Sequence, residues 1–244
     1  MHPEAYIEMA DTESHHWWFC GRRNLMSSLI ENFNLPNGAR ILDVGCGTGG
    51  NLQMLSRFGH VSAIEMDSEA RAIALEKTEG RFDIRLGKCP NEIPFSTERF
   101  DLICLFDVLE HIDADLETLI AIKSFLSKGG RILITVPANP WLWGIHDTFL
   151  HHKRRYSLSE LSKKVHWAGF RPTTISYFNT LLFPLAVLAR LKDRLFRHQS
   201  ASGSSVPPLY VNRLFSGIFG LERFIIGKYN MPFGVSIVCV LQID

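Results

Sequence analysis

The 244-residue sequence has little of several things that would classify it at once. Its five cysteines, Cys20, Cys46, Cys89, Cys104 and Cys239, are scattered and form no C-x-x-C pair. An odd, unclustered set argues against a disulfide framework and against a cysteine zinc site, and it points to a reducing, cytoplasmic setting. Charge of one sign is also lacking. The 26 basic and 25 acidic side chains leave a formal net charge of +1, so no global field gathers nucleic acid. Nor is there a long apolar run: "LLFPLAVLA", from Leu181, is about half of the ~20 residues a membrane span requires. The opening "MHPEAYIEMADTESHH" is polar and acidic, so a secretory signal peptide is not expected there.

What is present suits one large domain, or a domain with an appended subdomain, with 46% hydrophobic residues to build its core. "ARILDVGCGTGG" reads as a short apolar strand entering a glycine turn, and "NLQMLSRFG" has helical periodicity. "HVSAIEMD" reads as a second strand, followed by the helix "SEARAIALEKTEG" with Ser68 as its N-cap. "FDIRLG" is a third strand. "RFDLICLFDVLEHI" is a fourth, apolar through its middle as a strand buried on both faces should be. "ADLETLIAIKSFLSKGG" is a helix closed by glycine, and "RILITVP" a fifth strand. Strands alternating with helices predict an α/β fold with a doubly wound, mostly parallel sheet. After Pro137 comes a long aromatic and basic connection, then a helix, the strand "RPTTISYF" and two amphipathic segments. These are separated by "HQSASGSSVPP", read as a flexible loop. "FGVSIVCVLQI" closes a seven-stranded sheet, and arriving without a crossover helix it is expected to be antiparallel.

"DVGCGTGG" lets a ligand approach the backbone closely. Gly45-x-Gly47-x-x-Gly50 fits a dinucleotide fingerprint, and Glu65, twenty positions after Gly45, is placed to accept hydrogen bonds from ribose hydroxyls. Two features favour another adenosine cofactor. Asp43, two residues before Gly45, gains nothing beside a pyrophosphate but suits a cationic or amine-bearing ligand. And a dinucleotide site needs two mononucleotide-binding halves, where this chain shows one.

Asp-x-Gly-x-Gly-x-Gly, Glu65, "FDLICLFDVLEHI", "LSKGG" and the late final strand, in that order, resemble the class I S-adenosylmethionine-dependent methyltransferases. The resemblance covers residues 38–178 and 231–242. It implies a Rossmann-like transferase using S-adenosyl-L-methionine and releasing S-adenosyl-L-homocysteine. Asp43, Gly45 and Gly47 would surround the methionine portion, Glu65 would hold the ribose and Met66 would flank the adenine. Phe106 and Asp107 would line the methionine moiety, with plain core packing as the other reading of Phe106. Lys88 stands where the family often has an acid, a departure from its pattern.

"HHWWFCGRR", at residues 15–23, is dense in aromatics and arginines. It reads as a core helix, a membrane anchor or a lid. The start resembles ubiquinone-pathway O-methyltransferases, in which a tryptophan-rich segment precedes an arginine that meets the cofactor carboxylate. A bacterial group with an "HWWF…RR" start and a later "H-D…H-x-R-R-Y" is similar too. That resemblance implies a lid in which the aromatics exclude water, Trp18 touches the acceptor and Arg22 or Arg23 binds the carboxylate.

"GIHDTFLHHKRRYS" is the second dense stretch. Its bland reading is a solvated basic loop leading into a helix capped by Ser157 or Ser159. The functional reading, from its place after the fifth strand, makes His151, Arg154, Arg155 and Tyr156 a site for an anionic acceptor. No helix-borne zinc motif is completed there, and no metal is assigned. Methyl transfer needs alignment and removal of a proton, and the candidate bases are His111 and His146. In some ubiquinone-pathway relatives the pair equivalent to Glu110–His111 is linked to a metal. The expected division is an N-terminal helical lid over 1–37, a cofactor-binding core over 38–179 with 228–244, and a helical insertion over 180–227. The stripe of residues 180–197 faces the core or lies in a bilayer interface. The expected reaction is O-methylation of a small-molecule or lipid- or glycan-linked acceptor in the cytoplasm. The alternatives are an NAD-dependent oxidoreductase and a non-catalytic cofactor-binding module.

Overall fold

The computed structural model describes residues 3–196 and 206–243. The loop expected at "HQSASGSSVPP" lies largely outside them. Every strand expected from the sequence forms: β1 (Arg40–Val44), β2 (His60–Glu65), β3 (Asp83–Leu86), β4 (Phe100–Phe106), β5 (Leu126–Pro137), β6 (Arg171–Phe178) and β7 (Ser236–Gln242). They make one seven-stranded sheet in the order β3-β2-β1-β4-β5-β7-β6. The first five strands run parallel, and β7 lies antiparallel between β5 and β6. The continuous apolar runs of β1, β4 and β7 are covered on both faces, which is why they lack an alternating pattern.

The helices are α1 (Pro3–Thr12), α2 (Trp17–Glu31), α3 (Leu52–Leu55), α4 (Ser68–Lys77), α5 (Asp115–Lys123), α6 (Ile145–Phe149), α7 (Leu158–Trp167), α8 (Phe183–Phe196) and α9 (Leu209–Leu221). Two local readings are corrected, and one left open is resolved. Asp67, not Ser68, caps α4, because its carboxylate accepts from the N–H groups of Glu69 and Ala70. Ser157, not Ser159, caps α7 in a reciprocal box with Glu160. α5 ends at Lys123 rather than at the glycines, because Leu126 pairs with Phe100 and extends β5 backwards past Gly129 and Gly130.

α2 packs across the boundary expected near residue 37. Leu25, Met26, Leu29 and Ile30 of α2 are buried in one core with Ile41, Leu102, Leu133 and Val240 of the sheet. α9 packs along α2 and sends Phe219 into the same core. Asn212 ties the two helices together, accepting from Trp17 N and donating to the His15 carbonyl, both at 2.8 Å. The amino-terminal helix and the late insertion therefore close one core from opposite ends of the chain.

Candidate active site

Parallel strands align their carboxyl ends on one edge of the sheet, and three of them deliver an acid there. Asp43 lies in β1, Glu65 ends β2 and Asp107 follows β4. Asp43 is 1% exposed, and its Oδ2 has no hydrogen-bond partner. Burial pushes its carboxyl up to about 7, against the attraction of Arg22. Burial raises Glu65 as well, and three backbone donors oppose it. Gly47 N reaches Oε2 at 2.7 Å, and Met66 N and Asp67 N reach Oε1 at 2.9 Å each.

Between Asp43 and Glu65 runs the glycine turn. Gly45 and Gly47 have φ of +70° and +55°, a region costly for other residues. A Cβ at Gly45 would also lie 2.8 Å from Val108 Cγ2. Arg22 reaches across from α2 to form an ion pair with Asp107, and its guanidinium carbon sits 5.9 Å from the centroid of the Phe106 ring. Arg22 Nε is buried without a partner. An unpartnered carboxylate oxygen and an unpartnered guanidinium nitrogen in one pocket suit a ligand that carries both an ammonium and a carboxylate. Met66 is solvent-exposed at the rim.

The element over this pocket is α1, which falls within the segment 1–37 expected as a helical lid but carries none of the residues the sequence reading singled out. Met9 lies against Gly47, and a side chain on that glycine would strike it. Glu13, just past the helix, accepts from Thr48 Oγ1 at 2.8 Å and forms an ion pair with Lys77. Burial, then the charges of Glu65 and Asp67, push the Tyr6 hydroxyl upward. The signal was present in the spacing of Ala5, Tyr6 and Met9 behind Pro3.

The tryptophans do not cover this pocket. Trp18 stacks on Phe219 at 5.4 Å and on Phe178 at 6.1 Å, and Trp17 meets Phe215 edge-on at 5.5 Å. Trp18, expected at the acceptor, is part of the packing between α2, α9 and β6. Arg23, expected beside the cofactor, instead donates to the Glu13 carbonyl at 2.7 Å and to Cys20 Sγ at 3.4 Å. Only Arg22 of the expected pair reaches the pocket. Trp18→Ala is expected to cost about 3–5 kcal/mol of stability while leaving S-adenosylhomocysteine affinity within about twofold. Denaturant unfolding and calorimetry check this, and a large loss of affinity at unchanged stability would return Trp18 to the ligand site.

The loop after β5 is organised around Asp147, which is fully buried on α6. Its carboxylate accepts from Gly144 N at 2.9 Å, Arg155 Nε at 2.8 Å and His152 Nδ1 at 2.9 Å. Burial alone would raise its pKa, but His152 and Arg155 hold it far below the usual carboxylate range. Arg155 Nη1 also donates to the Ala138 carbonyl. Tyr156 is buried and donates to Asp115 Oδ2 at 2.7 Å, an acid that also pairs with Arg154 and Lys164. Arg154, Arg155 and Tyr156 were expected to meet an anionic acceptor. Their partners are instead Asp115 and Asp147, and they clamp the loop to the domain. His151, with φ of +56°, is exposed, and its backbone hydrogen-bonds the His111 ring.

His152, adjacent in sequence, is the histidine that turns inward. Its ring meets that of His111 edge-on at 4.8 Å, and its Nε2 lies 3.9 Å from Glu110 Oε1. Glu110 is fully buried, and neither of its oxygens has a hydrogen-bond partner. Burial, then Asp107, drive its pKa well up. Burial and His152 push His111 down to about 3, and burial and Arg190 push His146 down to about 4, so both are neutral at physiological pH. His146 lies on the Arg190 side of α6, with Nδ1 buried and unpartnered. The ligand atoms of Glu110, His111 and His152 all lie within 4.8 Å of one another, close enough to share a proton or a divalent cation.

The comparisons agree with this fold. A family profile described as a methyltransferase domain matches residues 20–181. A ubiquinone biosynthesis O-methyltransferase of Aeromonas salmonicida is 32% identical over 108 residues, which are 42% of this chain and 45% of that protein. Phosphoethanolamine N-methyltransferase 1 of Zea mays is 28% identical over 120 residues, 47% of this chain and 24% of that protein. The chain thus spans less than half the length of the curated relatives it matches. In three dimensions, an S-adenosylmethionine-dependent methyltransferase of Clostridium acetobutylicum superposes with a TM-score of 0.61 at 14% identity, covering 91% of both chains.

Proposed function

The chain belongs to the class I S-adenosylmethionine-dependent methyltransferases, and on that premise we propose that it methylates an oxygen of a small or lipid- or glycan-linked acceptor. The observation that carries the cofactor side is the pair of unpartnered buried atoms, Asp43 Oδ2 and Arg22 Nε, beside the glycine turn. Asp43 receives the ammonium, and Arg22 turns from Asp107 toward the carboxylate. Glu65 keeps lone pairs for the ribose hydroxyls. Bound S-adenosylmethionine supplies the methyl group and its sulfonium leaving group. Phe106 and α1 keep water from the reacting centre.

A hydroxyl must lose its proton as the oxygen attacks, and the cluster of Glu110, His111 and His152 supports this acceptor side. Asp147 fixes His152 with Nδ1–H inward and Nε2 toward the cluster, and a carboxylate on one ring nitrogen favours the imidazolium that proton uptake would create. The same donor set fits a divalent cation. Glu110 offers two unpartnered oxygens, and a carboxylate behind a ligating histidine is a common arrangement. A cation there would polarise the acceptor oxygen.

Labelled methyl transfer from S-adenosylmethionine to hydroxylated and amine acceptor pools, with chelator and metal add-back arms, tests the reading. S-adenosylhomocysteine at a hundred times its Kd should add about 2.7 kcal/mol of stability, whereas NAD should add none. Stabilisation by NAD alone, or label confined to amines, would overturn it.

Binding should also release a proton. Asp43 holds its proton up to about pH 7 in the free protein, and an ammonium beside it favours the carboxylate. Affinity for S-adenosylhomocysteine should therefore rise with pH toward about 7 and then level off. Calorimetry in buffers of different ionisation enthalpy reads the released proton. Affinity that is flat across this range would remove Asp43 from the contact.

A further inference from the structure

The charged groups offered to the cofactor all lie under cover. Asp43, Glu65 and Arg22 are 1%, 4% and 7% exposed. The cover over the glycine turn is α1, with Met9 against Gly47 and Glu13 against Gly50. A ligand of the size of S-adenosylmethionine cannot pass a seated helix to reach those groups. Each exchange of product for fresh cofactor therefore requires α1 to leave and return.

What holds α1 down is mostly polar and gathered at one end. Among its described side chains only Ala5 and Tyr6 are buried. A ten-residue helix with so little apolar cover does not persist in water undocked. Glu13, one residue past the helix, is buried, and its Oε1 takes both the Thr48 hydroxyl of the glycine turn, at 2.8 Å, and the ammonium of Lys77. Lys77 Nζ also donates to the Ala10 carbonyl at 3.3 Å, so one lysine grips the acid and the last turn of the helix together. Gly50, the third glycine of the fingerprint, lies against the Glu13 carboxylate, and a Cβ there would strike it.

Beyond Glu13 the chain can pivot. Ser14 and His15 are exposed, whereas α2 is fixed in the core by Leu25, Met26, Leu29 and Ile30. α1 can swing about those two residues while the rest of the domain stays in place. We propose that α1 is a lid latched by Glu13 to Thr48 and Lys77, and that release of this latch sets the rate at which cofactor enters and product leaves. The proposal deepens the cofactor reading above and rests on it. Lys77 separates the latch from ligand contact, because it ends α4, about three turns from Ser68 beside the ribose-side acid.

Glu13→Ala and Lys77→Met, made in the full chain, test it. A latch slows passage in both directions, whereas a ligand contact slows departure alone. Association and dissociation rates of labelled S-adenosylhomocysteine should rise together, by about tenfold or more in Glu13→Ala and about fivefold in Lys77→Met. The Kd should stay within about threefold. Lys77 is partly exposed, so its variant is a surface change that spares the core. Amide hydrogen exchange in the free protein gives a reading without ligand: residues 5–12 should exchange faster in both variants, and residues 25–30 should not. Unchanged exchange over α1 in both variants overturns the latch. So does a rise in dissociation alone with Kd weakening in step, which would make Glu13 a cofactor contact. Failure of the wild type to bind S-adenosylhomocysteine would sink the cofactor reading instead, with the exchange contrast still showing a latched α1.

Discussion

Asp43→Asn is expected to make the protein more stable and its cofactor binding weaker. The free protein holds the Asp43 carboxyl up at about 7 against an ordinary value of 3.8, because burial penalises the charge. An acid with a raised folded-state pKa costs stability as pH climbs from the unfolded value through the folded one. The wild-type protein should therefore lose stability between about pH 4 and 7 through this group, and the asparagine variant should not. At pH 8 the gain should be about 1–3 kcal/mol, shrinking toward pH 5, where the neutral acid and the amide resemble one another. The ligand ammonium meanwhile loses its anionic partner. Affinity for S-adenosylhomocysteine should drop roughly 10- to 100-fold, as loss of a charge-assisted hydrogen bond predicts. Chemical denaturation at the two pH values and calorimetry at the higher one measure both effects. A destabilised variant, or one that binds within twofold of wild type, contradicts the role given to Asp43.

The second large effect is at Asp147. Asp147→Ala strands a buried arginine and an inward histidine, and unpairing a buried charge costs roughly 3–5 kcal/mol. At about 2–4 °C per kcal/mol for a chain of this size, the melting temperature should fall by several degrees to more than ten. Measured well below that melting point, turnover should fall by about tenfold or more, because His152 loses the partner that orients it. S-adenosylhomocysteine affinity should stay within about twofold, since Asp43, Arg22 and Glu65 are untouched. Arg155→Ala provides the control: it removes the charge pair but keeps the His152–Asp147 bond, so it should reproduce most of the instability with less of the loss in turnover. Equal losses of turnover in the two variants would reduce Asp147 to a structural clamp.

The paired histidines show where reading by residue type stops. His151 and His152 are indistinguishable as letters. The left-handed backbone at His151 leaves its ring outside and turns His152 toward Asp147 and Glu110. Arg154, Arg155 and Tyr156 resemble an open anion site only until their acids are known, and Asp115 lies some forty positions away from them in sequence. Trp18 misleads in the same manner, because its partners, Phe178 and Phe219, belong to late elements that no local pattern connects to residue 18.

The sequence by itself determined the strand pattern, the parallel-to-antiparallel change at β7, the glycine turn and the acids at the ends of β1, β2 and β4. Those features are local. Apolar runs, glycines at left-handed positions and a strand-end acid each act within a few residues, and strand order follows from short right-handed crossovers. The tertiary structure alone decided which of two adjacent arginines enters the pocket, that α1 rather than the tryptophan stretch covers it, that the basic loop is internally neutralised, and that the leucines of α8 face outward. Each of these is a pairing between groups far apart in the chain. Burial makes such pairing obligatory, because a buried charge must find its counter-charge wherever folding brings one, and spacing along the chain carries no record of where that is.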